Sequence, residues 1–248
     1  MAIETSAQEV VDLFNVTREA RRKYNAWLNN PDRKHVPAYV MQHKTRVLYE
    51  LCPADLKRFE DGGVCEHPLG GISKSAATAV TTIKDCRPDF AFTHTLHYAL
   101  EQIGWMPTYQ EFRRFCHEDE RARDMLNYPS KDAITDAVSA GYPEAAARKA
   151  VRWRVGLSYY SFLREAYVIS VLRADGHDVR AHPLADALFR TDAWLGRTVL
   201  SIYIRNSQFR DGEWGRKRDP EKILANAAAC FSPSLPVWGE SSGSSGLG

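Results

Sequence analysis

The sequence predicts an α+β protein: a helical N-terminal part, a helix-turn-helix-like unit, and a small α/β unit of order αβββα. Three observations carry this prediction. Apolar residues recur at three- and four-residue spacing in several stretches before Gly176, the period of an amphipathic helix. Beyond Gly176 the pattern turns to alternation, first in "HDVRAH" and then on both sides of Gly196 and Arg197, as strands and a hairpin require. Helical spacing then returns in "DPEKILANAAAC", residues 219–230.

Composition sets the bounds. A chain of 248 residues with 44% hydrophobic and 26% charged residues is long enough and apolar enough to bury a real core. No apolar run approaches the roughly 18–20 residues of a bilayer span, and "MAIETSAQEV" lacks the basic and apolar blocks of a signal peptide. The expected location is therefore intracellular and cytoplasmic. Five cysteines, odd in number and irregularly spaced, suit reduced thiols better than a disulfide framework. The expected organisation is a helical region over 1–128, a helix-turn-helix-like unit over 129–155, an α/β core over 156–231, and a Ser/Gly-rich disordered tail over 232–248.

The first helix opens with Ser6 and Glu9 at capping-box spacing and puts Val10, Leu13, Phe14, Tyr24, Trp27 and Leu28 near one face. Asn29, Asn30 and Pro31 stop it. A second helix is expected over about 37–51, and "PADLKRFEDGG" makes a third that two glycines end. "HPLGGISKSAATAV" looks like a phosphate-cradling loop but lacks the GxxxxGK[ST] spacing. Cys52, Cys65, His67 and Cys86 raise a zinc reading, yet only Cys65 and His67 form even a loose pair, so free cysteines are the simpler account. His94 and His97 lie three apart on an expected helix with no nearby carboxylate. Packing and surface solvation explain them.

From Pro107, Thr108 and Glu111 form a second capping box ahead of Phe112, Phe115 and Leu126, with a break expected before Tyr128 and Pro129. A helix starting near Ser130, a turn at Gly141, and a helix opening with Pro143 and Glu144 follow. Small residues at Ala137 and Ala147 flank that glycine, as at the crossing of a helix-turn-helix unit. The second helix carries Arg148, Lys149, Arg152 and Arg154, the residue types that bind phosphates and base edges. Next, Tyr159, Phe162, Leu163, Ala166, Ile169 and Leu172 mark a helix that contains Glu165 and ends at Gly176. A short strand, an extended run from Ala187 to Trp194, and a strand from Val199 to Arg205 complete the sheet.

That order, with an acid in the first helix and another on the second strand, resembles the core of the PD-(D/E)xK, or restriction-endonuclease-like, nuclease superfamily over residues 156–230. The resemblance implies that Asp192 takes the second-strand aspartate position and Glu165 the helical acid, the two holding Mg²⁺, while Tyr203 and Arg205 occupy the (D/E)xK pair. Ser201, Tyr203 and Arg205 would share one strand face and Leu200, Ile202 and Ile204 the other. The third-strand motif is degenerate: a tyrosine phenol is a poor Mg²⁺ ligand, and an arginine cannot serve as a base.

Charge points to a polyanion. From Arg148 to Lys222 there are 15 Lys or Arg and 9 Asp or Glu, a balance of +6 in a chain of +2, so the remainder is acidic. Clustered cations are what phosphate contact needs. Arg210, Arg216 and Lys217 add cations interleaved with Phe209 and Trp214, a pattern suited to a nucleic-acid groove. Two functions are therefore expected: a Mg²⁺-dependent deoxyribonuclease, or a non-catalytic DNA-binding regulator or recombination accessory factor. A helical interaction protein without a nucleic-acid role is the third. The expected partners are DNA and a second copy of the chain, with no membrane.

Overall fold

A computed structural model describes residues 3–31, 35–57, 59, 67–84 and 91–202. Both predicted capping boxes are present. The Ser6 hydroxyl accepts from the Glu9 amide while the Glu9 carboxylate accepts from the Ser6 amide at 2.6 Å, starting α1 (Ala7–Phe14). The single helix expected over this stretch is in fact two. Asn15 ends α1, and the Thr17 hydroxyl accepts from the Ala20 amide to start α2 (Arg18–Leu28); threonine satisfies a free helix amide and so favours a restart here.

The second predicted helix is also interrupted, into α3 (Val36–Gln42), β2 (Lys44–Thr45) and α4 (Val47–Glu50), with β2 antiparallel to β1 (Thr5–Ser6). The restart is anchored by the Glu101 carboxylate, which accepts from the amides of Arg46, Val47 and Leu48. Three short helices follow: α5 (Pro53–Lys57), α6 (Lys74–Thr78) and α7 (Thr81–Lys84). Then come α8 (Ala91–Ile103) and α9 (Tyr109–Glu118), the latter begun by the Thr108 and Glu111 box.

The break expected before Pro129 is absent. A single helical turn, α10 (Glu120–Ala122), leads through a wider π-helical segment (Arg123–Asn127) into α11 (Tyr128–Ser139), with Pro129 at the passage from the wider segment to the α-helix. Gly141, at φ +92, makes the turn to α12 (Glu144–Ala174). At 31 residues α12 runs without interruption across position 155, so the hairpin and the α/β unit share one helix. It buries Tyr159, Phe162, Ala166 and Ile169 as the periodicity predicts.

After Gly176 the architecture departs from αβββ. β3 (Val179–Arg180) is followed by α13 (Pro183–Phe189), where an extended run was expected from Ala187, and only then by β4 (Ala193–Leu195) and β5 (Thr198–Leu200). The helix forms because His182 Nδ1 accepts from the Leu184 amide, Pro183 fills the first position, and Arg190 closes it at φ +61. The strands make an antiparallel meander, β3–β4–β5, with the predicted turn at Gly196 and Arg197. The described part is thus mostly helical with two small antiparallel sheets. The expected helix over 219–230 and the Ser/Gly tail lie outside the described residues.

Three apolar clusters hold these elements. The largest gathers Leu48, Leu100, Phe112, Tyr159 and Ile169 around α12; a second joins Phe14, Trp27, Phe189 and Trp194; a third packs Ala137, Ala147 and Ala150 against Val80 and Ile83. No helix among the described residues is long and apolar enough to cross a membrane.

Candidate functional site

Four histidines from three parts of the chain meet in the interior. His94 and His97 lie one turn apart on α8, His43 follows α3, and His182 precedes α13. The His43 ring centre is 5.3 Å from that of His94, 5.9 Å from His97 and 5.1 Å from His182, with the planes steeply inclined. None is more than 4% exposed. The surface solvation expected for His94 and His97 does not occur.

The roles of the four differ. His182 is fully used by the fold: Nδ1 accepts from the Leu184 amide, so the proton sits on Nε2, 3.2 Å from the His43 carbonyl oxygen. His43 Nε2 lies 3.4 Å from the Thr45 hydroxyl. His94 and His97 have no hydrogen-bond partner for either ring nitrogen among the described residues. Burial disfavours the imidazolium and neighbouring imidazoles add to this, pushing His94 and His97 down to about 3. Burial also lowers His182 to about 4, and His43 falls well below the ordinary value. The cluster is therefore neutral at pH 7.

Carboxylates missing from the local sequence arrive from distant elements. Glu165 of α12 places Oε1 3.8 Å from His97 Nε2, with its side chain 14% exposed. Asp186 of α13 accepts from the Thr93 hydroxyl at 3.0 Å, and its charge opposes the lowering of His97. Asp192 does something else: its Oδ2 accepts from the Ile202 amide at 2.8 Å, tying β4 to the chain beyond β5. Of the sequence-predicted catalytic group, Glu165 thus lies against imidazole and Asp192 on a backbone amide, while Tyr203 and Arg205 lie outside the described residues. Ser201 is buried, and Leu200 and Ile202 are partly so.

This setting does not fit Mg²⁺. That ion takes hard oxygen donors in near-octahedral array, whereas Glu165 lies beside an imidazole nitrogen, His97 Nε2, and one oxygen of Asp192 accepts from the backbone. As placed, no group of three or more His, Cys, Asp or Glu side chains among the described residues could hold a metal ion.

The predicted nucleic-acid contacts divide in two. Arg148 and Lys149 are exposed on the first turns of α12, Arg148 pairing with Glu144 one turn back. Arg152 and Arg154 are partly buried and make contacts within the fold: the Arg152 guanidinium lies over Gly70, and Arg154 donates to the Lys84 carbonyl with its guanidinium 5.6 Å from the Phe92 ring centre. Ala137 and Ala147 are fully buried where the helices touch, the role their size suggests. Arg210, Arg216 and Lys217 lie outside the described residues, as do Cys65 and Cys86. Cys52 is an exposed free thiol, and His67 Nδ1 accepts from the Leu69 amide.

Sequence reading missed His43 and His182 as members of the cluster. Neither sits in a periodic pattern with His94 and His97; His182 alone carried a signal, a polar side chain directly before a proline-initiated helix. The chain matches no protein-family model, no curated protein and no solved structure.

Proposed function

We propose that the protein binds DNA through the exposed start of α12, in the manner of a non-catalytic regulator or recombination accessory factor. The observation that carries this reading is the placement of Arg148 and Lys149. Both are exposed on the first turns of the second helix of a tight hairpin, after a left-handed glycine turn. A helix presented this way can approach a phosphate backbone, and cations there gain by releasing counterions. The sequence also carries an excess of basic over acidic residues between 148 and 222, the kind of clustering that favours a polyanion partner. Binding is favoured over Mg²⁺-dependent cleavage because one oxygen of Asp192 accepts from a backbone amide and Glu165 lies beside an imidazole rather than beside Asp192.

The test is affinity for a DNA duplex as a function of salt. Affinity is expected to fall on the order of tenfold or more between 50 and 200 mM salt, and Arg148→Glu with Lys149→Glu should weaken binding without altering the circular dichroism spectrum. A flat salt response, or a double variant that binds as the parent does, overturns the reading. Charge reversal at Arg152 or Arg154 is uninformative here, because both also hold the 67–84 segment.

A further inference from the structure

We infer that His94, His97, His43 and Glu165 form a site for one zinc-class divalent cation, buried between α8 and α12. The inference stands on the histidine cluster alone and is independent of DNA binding.

The first argument is polar satisfaction. Buried polar groups are almost always partnered, and leaving imidazole nitrogens without partners in an apolar interior is costly. His94 and His97 each bury two unpartnered ring nitrogens at 0% and 1% exposure. A cation satisfies one nitrogen of each ring at once. It also draws a carboxylate into the same interior, and Glu165 is there.

The second argument is spacing. With bonds of about 2.0–2.1 Å, two imidazoles on one tetrahedral ion hold their ring centres about 5 Å apart, and adjacent donor atoms stand about 3.3 Å apart. The His43 ring centre is 5.3 Å from His94 and 5.9 Å from His97, with planes at 83° and 88°. His97 Nε2 and Glu165 Oε1 are 3.8 Å apart. Each of these three separations exceeds the coordinated one by less than about 1 Å, and binding would require the side chains to turn inward by that much.

Donor type selects the ion. Three neutral imidazoles and one carboxylate suit zinc and its neighbours, whereas Mg²⁺ and Ca²⁺ require oxygen. His182 is not a ligand, since both its nitrogens are already used. Its contact with the His43 carbonyl instead fixes the segment that brings His43 in, the orienting role that partners outside the ligand set commonly have.

The experiment is titration of chelator-stripped full-length protein with Co²⁺, read by visible absorption and by thermal midpoint. One equivalent of Co²⁺ is expected to give the intense visible bands of a tetrahedral site and to raise the midpoint; Zn²⁺ should abolish the bands and millimolar Mg²⁺ leave them unchanged. Glu165→Gln keeps the side-chain shape and should weaken Co²⁺ affinity by tenfold or more with an unchanged circular dichroism spectrum; His94→Asn with His97→Asn should remove the bands. Wild-type protein that gives no tetrahedral spectrum overturns the inference. So does an intense near-ultraviolet thiolate band, which puts the ion on cysteine, or a His94 and His97 double variant that keeps the full cobalt spectrum.

Discussion

The Tyr49 hydroxyl and the backbone of Ala181 face each other across 132 positions of sequence, with Oη 3.1 Å from the Ala181 amide and 2.9 Å from its carbonyl oxygen. Thr5 adds a third contact at 2.7 Å, and the Arg173 and Arg180 guanidinium groups lie 4.6 and 5.7 Å from the ring centre. One side chain thus joins β1, α4 and the end of β3. Burial pushes the phenol up to about 12, so it stays protonated at any working pH. Tyr49→Phe leaves buried backbone groups short of a partner and should cost about 1–3 kcal/mol, measured as a lower urea midpoint at unchanged slope. A variant as stable as the parent would show that the junction is held by packing alone.

Gly156 makes the opposite kind of prediction. Replacing glycine by alanine inside a helix ordinarily stabilises by about 1 kcal/mol, but a Cβ here would stand 2.9 Å from the Pro68 carbonyl oxygen and 2.9 Å from Leu69 Cδ2. The leucine can move; the backbone carbonyl cannot move without displacing its turn. Gly156→Ala should therefore lower stability by about 1–3 kcal/mol, seen as a fall of several degrees in thermal midpoint. A rise would mean that α12 does not need to approach this turn so closely.

What the sequence made legible is what local chemistry decides. Ser6 with Glu9, Thr108 with Glu111, the turn at Gly141 and the face of α12 follow from contacts within a few residues. The missed features are set by residues far apart in sequence. Glu101 starts α4 from more than fifty positions away, which no pattern near residue 47 reveals. The helix at Pro183–Phe189 was mistaken in part for a strand because its cap is a histidine, an unusual residue in that role. The cluster around His97 needed α3, α8, α12 and α13 to be brought together first. At Asp192 the sequence pointed to a carboxylate, but not to the hydrogen bond that its Oδ2 accepts from the Ile202 amide, which depends on how the chain returns after the hairpin.

The histidines also set a pH dependence, best measured with a chelator present so that no cation competes for the rings. His94 and His97 at about 3 and His182 at about 4 bind protons less readily folded than unfolded, where the ordinary value is 6.5. Between those limits the unfolded chain holds more protons, so stability rises with pH. It is fully present above about 6.5 and is lost progressively as pH falls toward 4, each histidine contributing up to about 1.4 kcal/mol per pH unit. Urea unfolding from pH 4.5 to 7.5 should show this slope, and His94→Asn should reduce it. A flat profile between pH 5 and 6.5 contradicts the neutral buried cluster.

Asp192 offers the sharpest separation of binding from cleavage. It is 5% exposed and gives one carboxylate oxygen to the Ile202 amide. Asparagine retains an acceptor oxygen of the same reach, so Asp192→Asn should cost less than about 1 kcal/mol, whereas Asp192→Ala strands the amide and should cost about 1–3 kcal/mol. Incubation of plasmid DNA with Mg²⁺ or Mn²⁺ then asks whether the carboxylate has a chemical role as well. The expected result on the non-catalytic reading is intact plasmid with both the parent and Asp192→Asn, and equal DNA affinity for the two. Nicking by the parent that Asp192→Asn abolishes, with folding and DNA binding retained, would restore the aspartate to a catalytic position and displace the non-catalytic reading.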